Sequence, residues 1–539
     1  MSYVLGICIL FFAVVGIHEF GHFLVARLFG VRCDVFSIGF GPKIFKKKWG
    51  QTEYCVSAIP LGGYVKIHGQ EQDEEIAKSD HEAFVNKPVG QRFLIAAAGP
   101  IFNFLFALVV LLLMALTTGE KVRAPIAERV LQGTQAALSG FQVGDEILKI
   151  NGRQITRWDD VENVLDHNIG HSVSVELKRK TGEKLIINAP VWETQGLSII
   201  GKYVKKGAID GLYVSSLAAF VGIDDPKSLL AQTGLQTQDQ ILEVNSIPLQ
   251  TWQEVEDVFF KTEERKIHLK VKRENNIIEA NLTLPQNYFS LSLSEKRKIL
   301  GLYSSALFIA EVPSQMPAEI AGLQKGDHII AVGGIVIQSF EQSVDAIQSA
   351  MRKEGKISIT YRRAGVEYQT EVVGVVDPNS SEDLTRWLIG VSYSNYQNIP
   401  QIIVWKTSNP LRAFSYAASQ TGFWVWVTIK TMAQLVTGQV STKNLGGPIR
   451  IGQMAGEMFE RSFSDFLKIM AIISVNLGVL NFIPLPVFDG GHLMFCTIEA
   501  IRRKPLGERA TQVANIAGIA FILVLIIYVC YNDLRAIFG

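Results

Sequence analysis

Two histidines and a glutamate stand close together near the start of the chain, as His18-Glu19-Phe20-Gly21-His22. On a helix, residues four apart lie on one face, so His18 and His22 direct two imidazoles at a single metal ion. Glu19, displaced around the helix, reaches water beside that ion. This is the H-E-x-x-H pattern, whose chemistry is metal-assisted hydrolysis of a peptide carbonyl. A catalytic Zn2+ takes three protein ligands and keeps one position open for water. The best third ligand is Asp489, in the stretch Asn481-Phe-Ile-Pro484-Leu-Pro486-Val-Phe-Asp489-Gly-Gly-His492, with His492 as the rival. Glu19 is then the candidate general base, taking a proton from the attacking water and passing it to the leaving amine. The other histidines, His68, His81, His167, His171, His268 and His328, fall in loops or repeated modules and are expected on the surface.

The elements that must position these groups are apolar. Residues 4–29 form a run long enough to cross a bilayer as one helix, and ionisable groups are costly there unless they face a protein interior or a water-filled cavity. A secretory signal peptide does not fit: no basic region precedes the run, it is too long, and no small-residue cleavage site follows. A second span covers 93–117 and carries Gly99-Pro100 and Asn103, either as a kinked span or as a helix packed on the metal site. Residues 465–501 begin as a helix and then break at Pro484, Pro486, Gly490 and Gly491, which forces irregular backbone at membrane depth. A uniformly apolar run at 513–531 makes the fourth span. The segment 423–438 is short for a span and reads as an amphipathic helix on the outer surface.

Charge sets the expected orientation. Lys43, Lys46, Lys47 and Lys48 mark residues 31–69 as cytoplasmic, and Arg502, Arg503, Lys504 and Arg509 do the same for the last loop. Four spans then put both termini and the large middle portion outside. Residues 31–69 read as short strands joined by turns at Gly39, Gly41, Pro42 and Gly62-Gly63, offering an edge for an extended substrate or simply capping the helices. Residues 70–91, with Glu71, Asp73, Glu74 and Glu75, read as a solvated link.

Of the 539 residues, 48% are hydrophobic and 19% charged, which suits a few spans joined to a large soluble part. The net charge of +1 gives no reason to expect a nucleic-acid partner. All five cysteines lie in or beside apolar runs, so the soluble part has no disulfides.

That soluble part repeats. Phe141-Gln-Val-Gly-Asp145-Glu-Ile-Leu-Lys-Ile-Asn151-Gly152 recurs from Leu235 to Ser246 and from Leu323 to Gly334. In each copy an aromatic, Trp158, Trp252 or Phe340, follows the Asp by thirteen residues and opens an amphipathic helix. A strand-rich stretch closes each copy, at SVSVELKRK, KIHLKVKRE and KISITYRRA. Internal repetition of this kind signals copies of one module. The pattern resembles PDZ domains of bacterial envelope proteases, over roughly 125–190, 212–285 and 305–376. Such modules bind extended peptide ends by strand addition, or serve as spacers and size filters. No copy shows a recognisable glycine-aromatic carboxylate loop, so no ligand-binding residues are assigned there.

Taken together, His18-Glu-Phe-Gly-His22, FSIGFGP at 36–42, PLGGYVK at 60–66 and NFIPLPVFDG at 481–490 resemble the site-2 protease family of intramembrane zinc metalloproteases. The resemblance covers the whole chain. It implies His18, His22 and Asp489 as zinc ligands and Glu19 as base. It also implies substrate contacts from Asn481, Pro484 and Pro486 in the broken helix, and from Gly62 and Gly63 in a membrane-reentrant β-structure. The implied substrates are single-span membrane proteins, such as anti-sigma factors or remnant signal peptides, cut within the bilayer of the bacterial inner membrane after a first outer cleavage. Two departures stand out: the family commonly carries two PDZ modules where three are readable here, and Phe488 stands where Leu is common. The expected architecture is thus membrane α-helical, with four transmembrane helices and a membrane-associated β-hairpin region, plus tandem α+β PDZ-like extracytoplasmic domains. It divides into 1–120 (spans one and two), 121–200, 205–290 and 300–395 (three modules), 396–463 (amphipathic juxtamembrane segment) and 464–539 (spans three and four). The competing readings are a PDZ-bearing receptor or scaffold with a structural metal, which leaves Glu19 without a task, and a metal-ion transporter, which needs polar residues across several spans. A serine protease would need a nucleophile motif that is absent.

Overall fold

The computed structural model describes all residues except 1, 71–75, 78, 198–202, 378–379, 381–383, 394–397, 439–445, 505 and 539. The acidic run Glu71, Asp73, Glu74 and Glu75 therefore lies outside the described residues. The chain divides into two compact units, Met1–Lys121 with Val404–Gly539, and Val122–Ile403.

In the first unit the helices are α1 (Ser2–Leu28), α2 (Val89–Leu116), α3 (Pro410–Val436), α4 (Pro448–Arg461), α5 (Phe463–Asn481), α6 (Asp489–Arg502) and α7 (Glu508–Phe538). Among the described residues four stretches are long and apolar enough to cross a membrane: Tyr3–Leu28, Val89–Leu116, Phe463–Asn481 and Arg509–Arg535. The last is longer than the expected 513–531, because helical backbone continues through polar flanks that an apolar window leaves out. The core packs Leu10 and Val14 of α1, Leu111 and Met114 of α2 and Phe466 and Val475 of α5 into one cluster.

The segment expected as a surface helix at 423–438 is the second half of α3, and it is not a lone surface element. Asn409 caps its start, its Oδ1 accepting from the backbone N–H groups of Leu411 and Arg412, with Pro410 in the first turn. Ala413, Tyr416 and Ala417 make a buried stripe within the core formed with α1, α2 and α5. Thr428 Oγ1 donates to Asn476 of α5 at 2.6 Å. A reading that begins at Phe423 misses the cap and the small-residue stripe, and with them the packing.

Two long strands, β1 (Cys33–Trp49) and β2 (Thr52–Ile67), replace the short strands expected between the first two spans. Each is bent, so that its halves pair separately. Residues 33–38 pair with 63–67, while 43–49 pair with 52–57 across the turn at Gly50; residues 35–38 also register against 53–56. The segment 63–67 therefore forms one flank of the sheet and 43–49 the other.

The second unit holds the three repeats. Their four-stranded sheets share one order. In the first module Arg153–Gln154, Glu146–Ile150, Ser172–Lys178 and Lys184–Pro190 lie side by side in that sequence, and the strands of 240–283 and 328–373 repeat it. The repeated Asp is a structural brace. Asp145, Asp239 and Asp327, each 1% exposed, pair with Arg179, Arg273 and Arg363 and accept the backbone N–H of Gln142, Gln236 and Gln324. The same arginines donate to the carbonyls of Gly140, Gly234 and Gly322, closing the loop before each Asp. Removing one partner of a buried pair leaves an uncompensated charge, a loss of about 3–5 kcal/mol. Arg363→Met is accordingly expected to open the third module selectively, read as new protease cuts confined to that repeat in the intact protein while the first two stay protected.

Each module also extends past its hairpin by a strand that returns to it. Leu212–Tyr213 pairs with Arg129–Val130, Tyr303–Ser304 with Val221–Gly222, and Ser392–Tyr393 with Ile309–Glu311. Leu212–Tyr213 thus pairs back onto the first module, although the second was expected to begin at 205. The signal was the triplet Gly-Leu-Tyr at 211–213 and again at 301–303. His328 also departs from its expected surface position and is 4% exposed. Its Nδ1 donates to Asp224 at 2.8 Å and its ring stacks on Phe308, so two modules bury it between them. Burial holds its pKa below the ordinary value despite the Asp224 carboxylate.

Candidate metal centre

Helical register alone brings His18 and His22 to one side of α1, with ring centroids 4.9 Å apart. What meets them comes from far along the chain. After α5 ends at Asn481 the backbone is irregular through Phe488, and Asp489 opens α6. Its Oδ2 lies 3.1 Å from His18 Nε2 and its Oδ1 3.3 Å from His22 Nε2, while the two Nε2 atoms are 3.3 Å apart. A tetrahedral zinc with bonds of about 2.0–2.1 Å holds its ligands about 3.3 Å apart, so this spacing fits the ion.

The chemistry of the donors fits as well. His22 Nδ1 lies 2.8 Å from the carbonyl of Ile95. A carbonyl only accepts, so in the neutral ring the hydrogen sits on Nδ1 and Nε2 presents a lone pair. Asp489 Oδ2 is buried without an aligned hydrogen bond. Acceptor atoms converging on one point call for a cation. Among the described residues His18, His22 and Asp489 are the one such group, and its ligand atoms all lie within 4.8 Å of one another. His492, one turn along α6, is outside that group but lines the same cavity of about 130 Å³, together with Glu19, Val65 and Gln70.

Helix α2 supplies two features that sequence reasoning noticed without assigning. The Asn103 amide is fully buried, 3.1 Å from His18 Nδ1 and beside Ser474 of α5, whose hydroxyl donates to the Asn103 carbonyl at 2.9 Å. The amide stands with Nδ2 toward His18 Nδ1 and Oδ1 3.4 Å from Ser474 Oγ; a His18 that binds a cation through Nε2 carries its hydrogen on Nδ1, and the amide must then be turned about so that Oδ1 accepts it. This is the arrangement by which outer groups orient metal-binding histidines. Asn103→Ala is expected to weaken zinc affinity about 10–100-fold and Asn103→Asp to retain it, measured by chelator competition on the purified protein. Gly99 is the second feature: a Cβ built there would lie 2.3 Å from His22 Nε2 and 2.8 Å from His18 Nε2.

The remaining predicted positions are distributed as follows. Glu19 leaves the ligand group and accepts the backbone N–H of Val65 at 3.1 Å, tying α1 to β2. Asn481 Nδ2 approaches His18 Nε2 at 3.5 Å. Pro484 is exposed and Pro486 half-buried, both in the irregular stretch before Asp489. Gly63 packs on β1, where a Cβ would meet the Ser37 carbonyl at 2.8 Å and Glu19 Cγ at 3.5 Å; Gly62 lies against the Phe40 ring. The prolines set the backbone that presents Asp489, and the glycines let β2 approach β1 closely.

Known proteins resemble this chain along its length. The profile of peptidase family M50 matches residues 6–525. A Neisseria meningitidis protein named as a candidate zinc metalloprotease is 28% identical over 544 residues, covering 100% of this chain and 99% of that one. The regulator of sigma E protease of Haemophilus influenzae is 28% identical over 536 residues, covering 99% and 97%. The regulator of sigma-E protease RseP of Escherichia coli is 28% identical over 523 residues, covering 96% and 95%.

Proposed function

Because this chain belongs to peptidase family M50 and is a zinc metalloendopeptidase of the site-2 type, we propose that it cuts single-span membrane proteins within their spanning segments. His18, His22 and Asp489 are the proposed zinc ligands and Glu19 the base. The observation that carries this reading is the convergence of two imidazole nitrogens and a carboxylate on α1 and α6, with Glu19 in the same cavity.

Bound there, zinc would supply Lewis-acid polarisation of the scissile carbonyl and a water of lowered pKa. The protein does the rest. Val65 N–H holds Glu19 Oε2, which leaves Oε1 to take the proton from water and return it to the leaving amine. A substrate helix must unwind first, since its carbonyls are locked in hydrogen bonds. The segment 63–67 flanks the sheet on the side of Glu19, and pairing with it would hold an unwound segment extended beside the metal. Asn481, whose Nδ2 lies 3.5 Å from His18 Nε2, is the proposed second hold on the same segment. Val65→Pro removes the N–H that anchors Glu19 and is expected to lower cleavage at least about 10-fold with zinc retained, so undiminished cleavage would sink that positioning role.

The names of the relatives support anti-sigma factors as one substrate class, and remnant signal peptides are a second, both after a first cleavage outside the membrane. The lysine cluster at 43–48 supports a cytoplasmic β-sheet and outer modules in a bacterial inner membrane. Incubating the purified protein with a truncated single-span substrate, and reading fragment ends by mass spectrometry, tests the proposal. Ends inside the apolar segment, abolished by a zinc chelator and restored by zinc, are expected. Cuts confined to the flanks would overturn it.

A further inference from the structure

The flank of the sheet remote from Glu19 is a projecting ribbon that the cleavage chemistry does not use. Residues 40–50 are exposed without interruption. Ile44 is 60%, Phe45 72% and Trp49 81% exposed, among Lys43, Lys46, Lys47 and Lys48. Lys43 pairs with Glu53 across the ribbon.

The depth of this ribbon can be read from α1. Arg27, in the last turn of α1, donates to Gln51 at 3.4 Å, so the turn that follows Trp49 is level with the end of the first span. Gly63 at the far end of the sheet packs on Glu19, eight residues and about 12 Å further along the helix. The ribbon's outer backbone edge excludes it from hydrocarbon, where unpaired N–H and C=O groups have no partner. Its large apolar side chains equally disfavour open water. Edge lysines alone would serve to block strand pairing, but that purpose needs neither Phe45 nor Trp49. Aromatic residues beside lysines at the level of a span's end match the headgroup layer, where the rings enter the interface and the ammonium groups meet phosphates.

We infer that residues 43–49 dock on anionic phospholipid headgroups of the leaflet at the end of α1, through Lys46, Lys47 and Lys48, with Phe45 and Trp49 in the interface. The contact steadies the sheet whose opposite flank faces Glu19. It rests on α1 spanning the membrane and not on the cleavage reaction.

The full chain in nanodiscs of phosphatidylcholine, or of equimolar phosphatidylcholine and phosphatidylglycerol, tests this with lipids brominated near the headgroup. Trp49 quenching is taken as the difference between the wild type and Trp49→Phe. Quenching about twofold stronger with phosphatidylglycerol is expected, lost at high salt and in the Lys46→Gln/Lys47→Gln/Lys48→Gln variant. The corresponding triple arginine variant is expected to keep it, with zinc content reporting an intact site in every variant. Equal quenching in both membranes overturns the inference. So does a glutamine variant that retains the difference, or the same Trp49 change produced by inorganic phosphate in detergent.

Discussion

Glu19→Gln is expected to lower the cleavage rate by about 10²–10⁴-fold while bound zinc stays at the wild-type level. The two halves of that result have separate origins. Glu19 is outside the group formed by His18, His22 and Asp489, so its charge is not needed to hold the ion. The glutamine amide oxygen can still accept from Val65 N–H, so the link between α1 and β2 survives. What disappears is the group that moves the proton. Cleavage assayed alongside zinc analysis on one preparation separates the outcomes. Equal cleavage by the two proteins would place the base elsewhere in the cavity, and His492 would be the next residue to test. Loss of zinc together with cleavage would make Glu19 a structural member of the centre.

Gly99→Ala is expected to abolish zinc binding and cleavage without harming the helices. In an ordinary helix interior this substitution stabilises by about 1 kcal/mol. Here the new methyl would stand 2.3 Å from His22 Nε2 and 2.7 Å from His18 Cε1, against the nitrogens proposed to bind the metal. The rings cannot turn away cheaply, because Ile95 and Asn103 hold their Nδ1 atoms. The expected signature is therefore a protein whose helix content and detergent stability match or exceed wild type, with zinc near zero. A Gly99→Ala protein with full zinc content would show that the rings have room to move.

The centre was partly legible because helical periodicity is local. His18, Glu19 and His22 needed only the four-residue register, and the apolar run around them supplied the helix. Asp489 was legible for a different reason: Pro484, Pro486 and the two glycines cannot continue a helix, and irregular backbone at membrane depth implies a site. The repeats were legible through the Asp to aromatic spacing, though not the reason for the Asp. Its partner arginine lies more than thirty residues away, at the end of a strand, and only the folded module joins them.

Other features were beyond any local pattern. Asn103 reads as a polar oddity in a span until α2 packs on α1 and carries its amide to His18. The two long strands read as short pieces because each pairs half by half, with partners set by the bends. His328 reads as one more polar module residue until a second module brings Asp224 to it. By itself the sequence determined the residue chemistry and everything whose geometry one helix or one turn enforces: the paired imidazoles, the broken helix and the threefold repeat. Tertiary structure alone decided which atoms meet across long separations, because contacts between α1, α2 and α6 depend on packing that no single segment encodes. For that reason the methyl-sized space at Gly99, the orientation of His18 by Asn103 and the position of Val65 beside Glu19 emerged only in the folded protein.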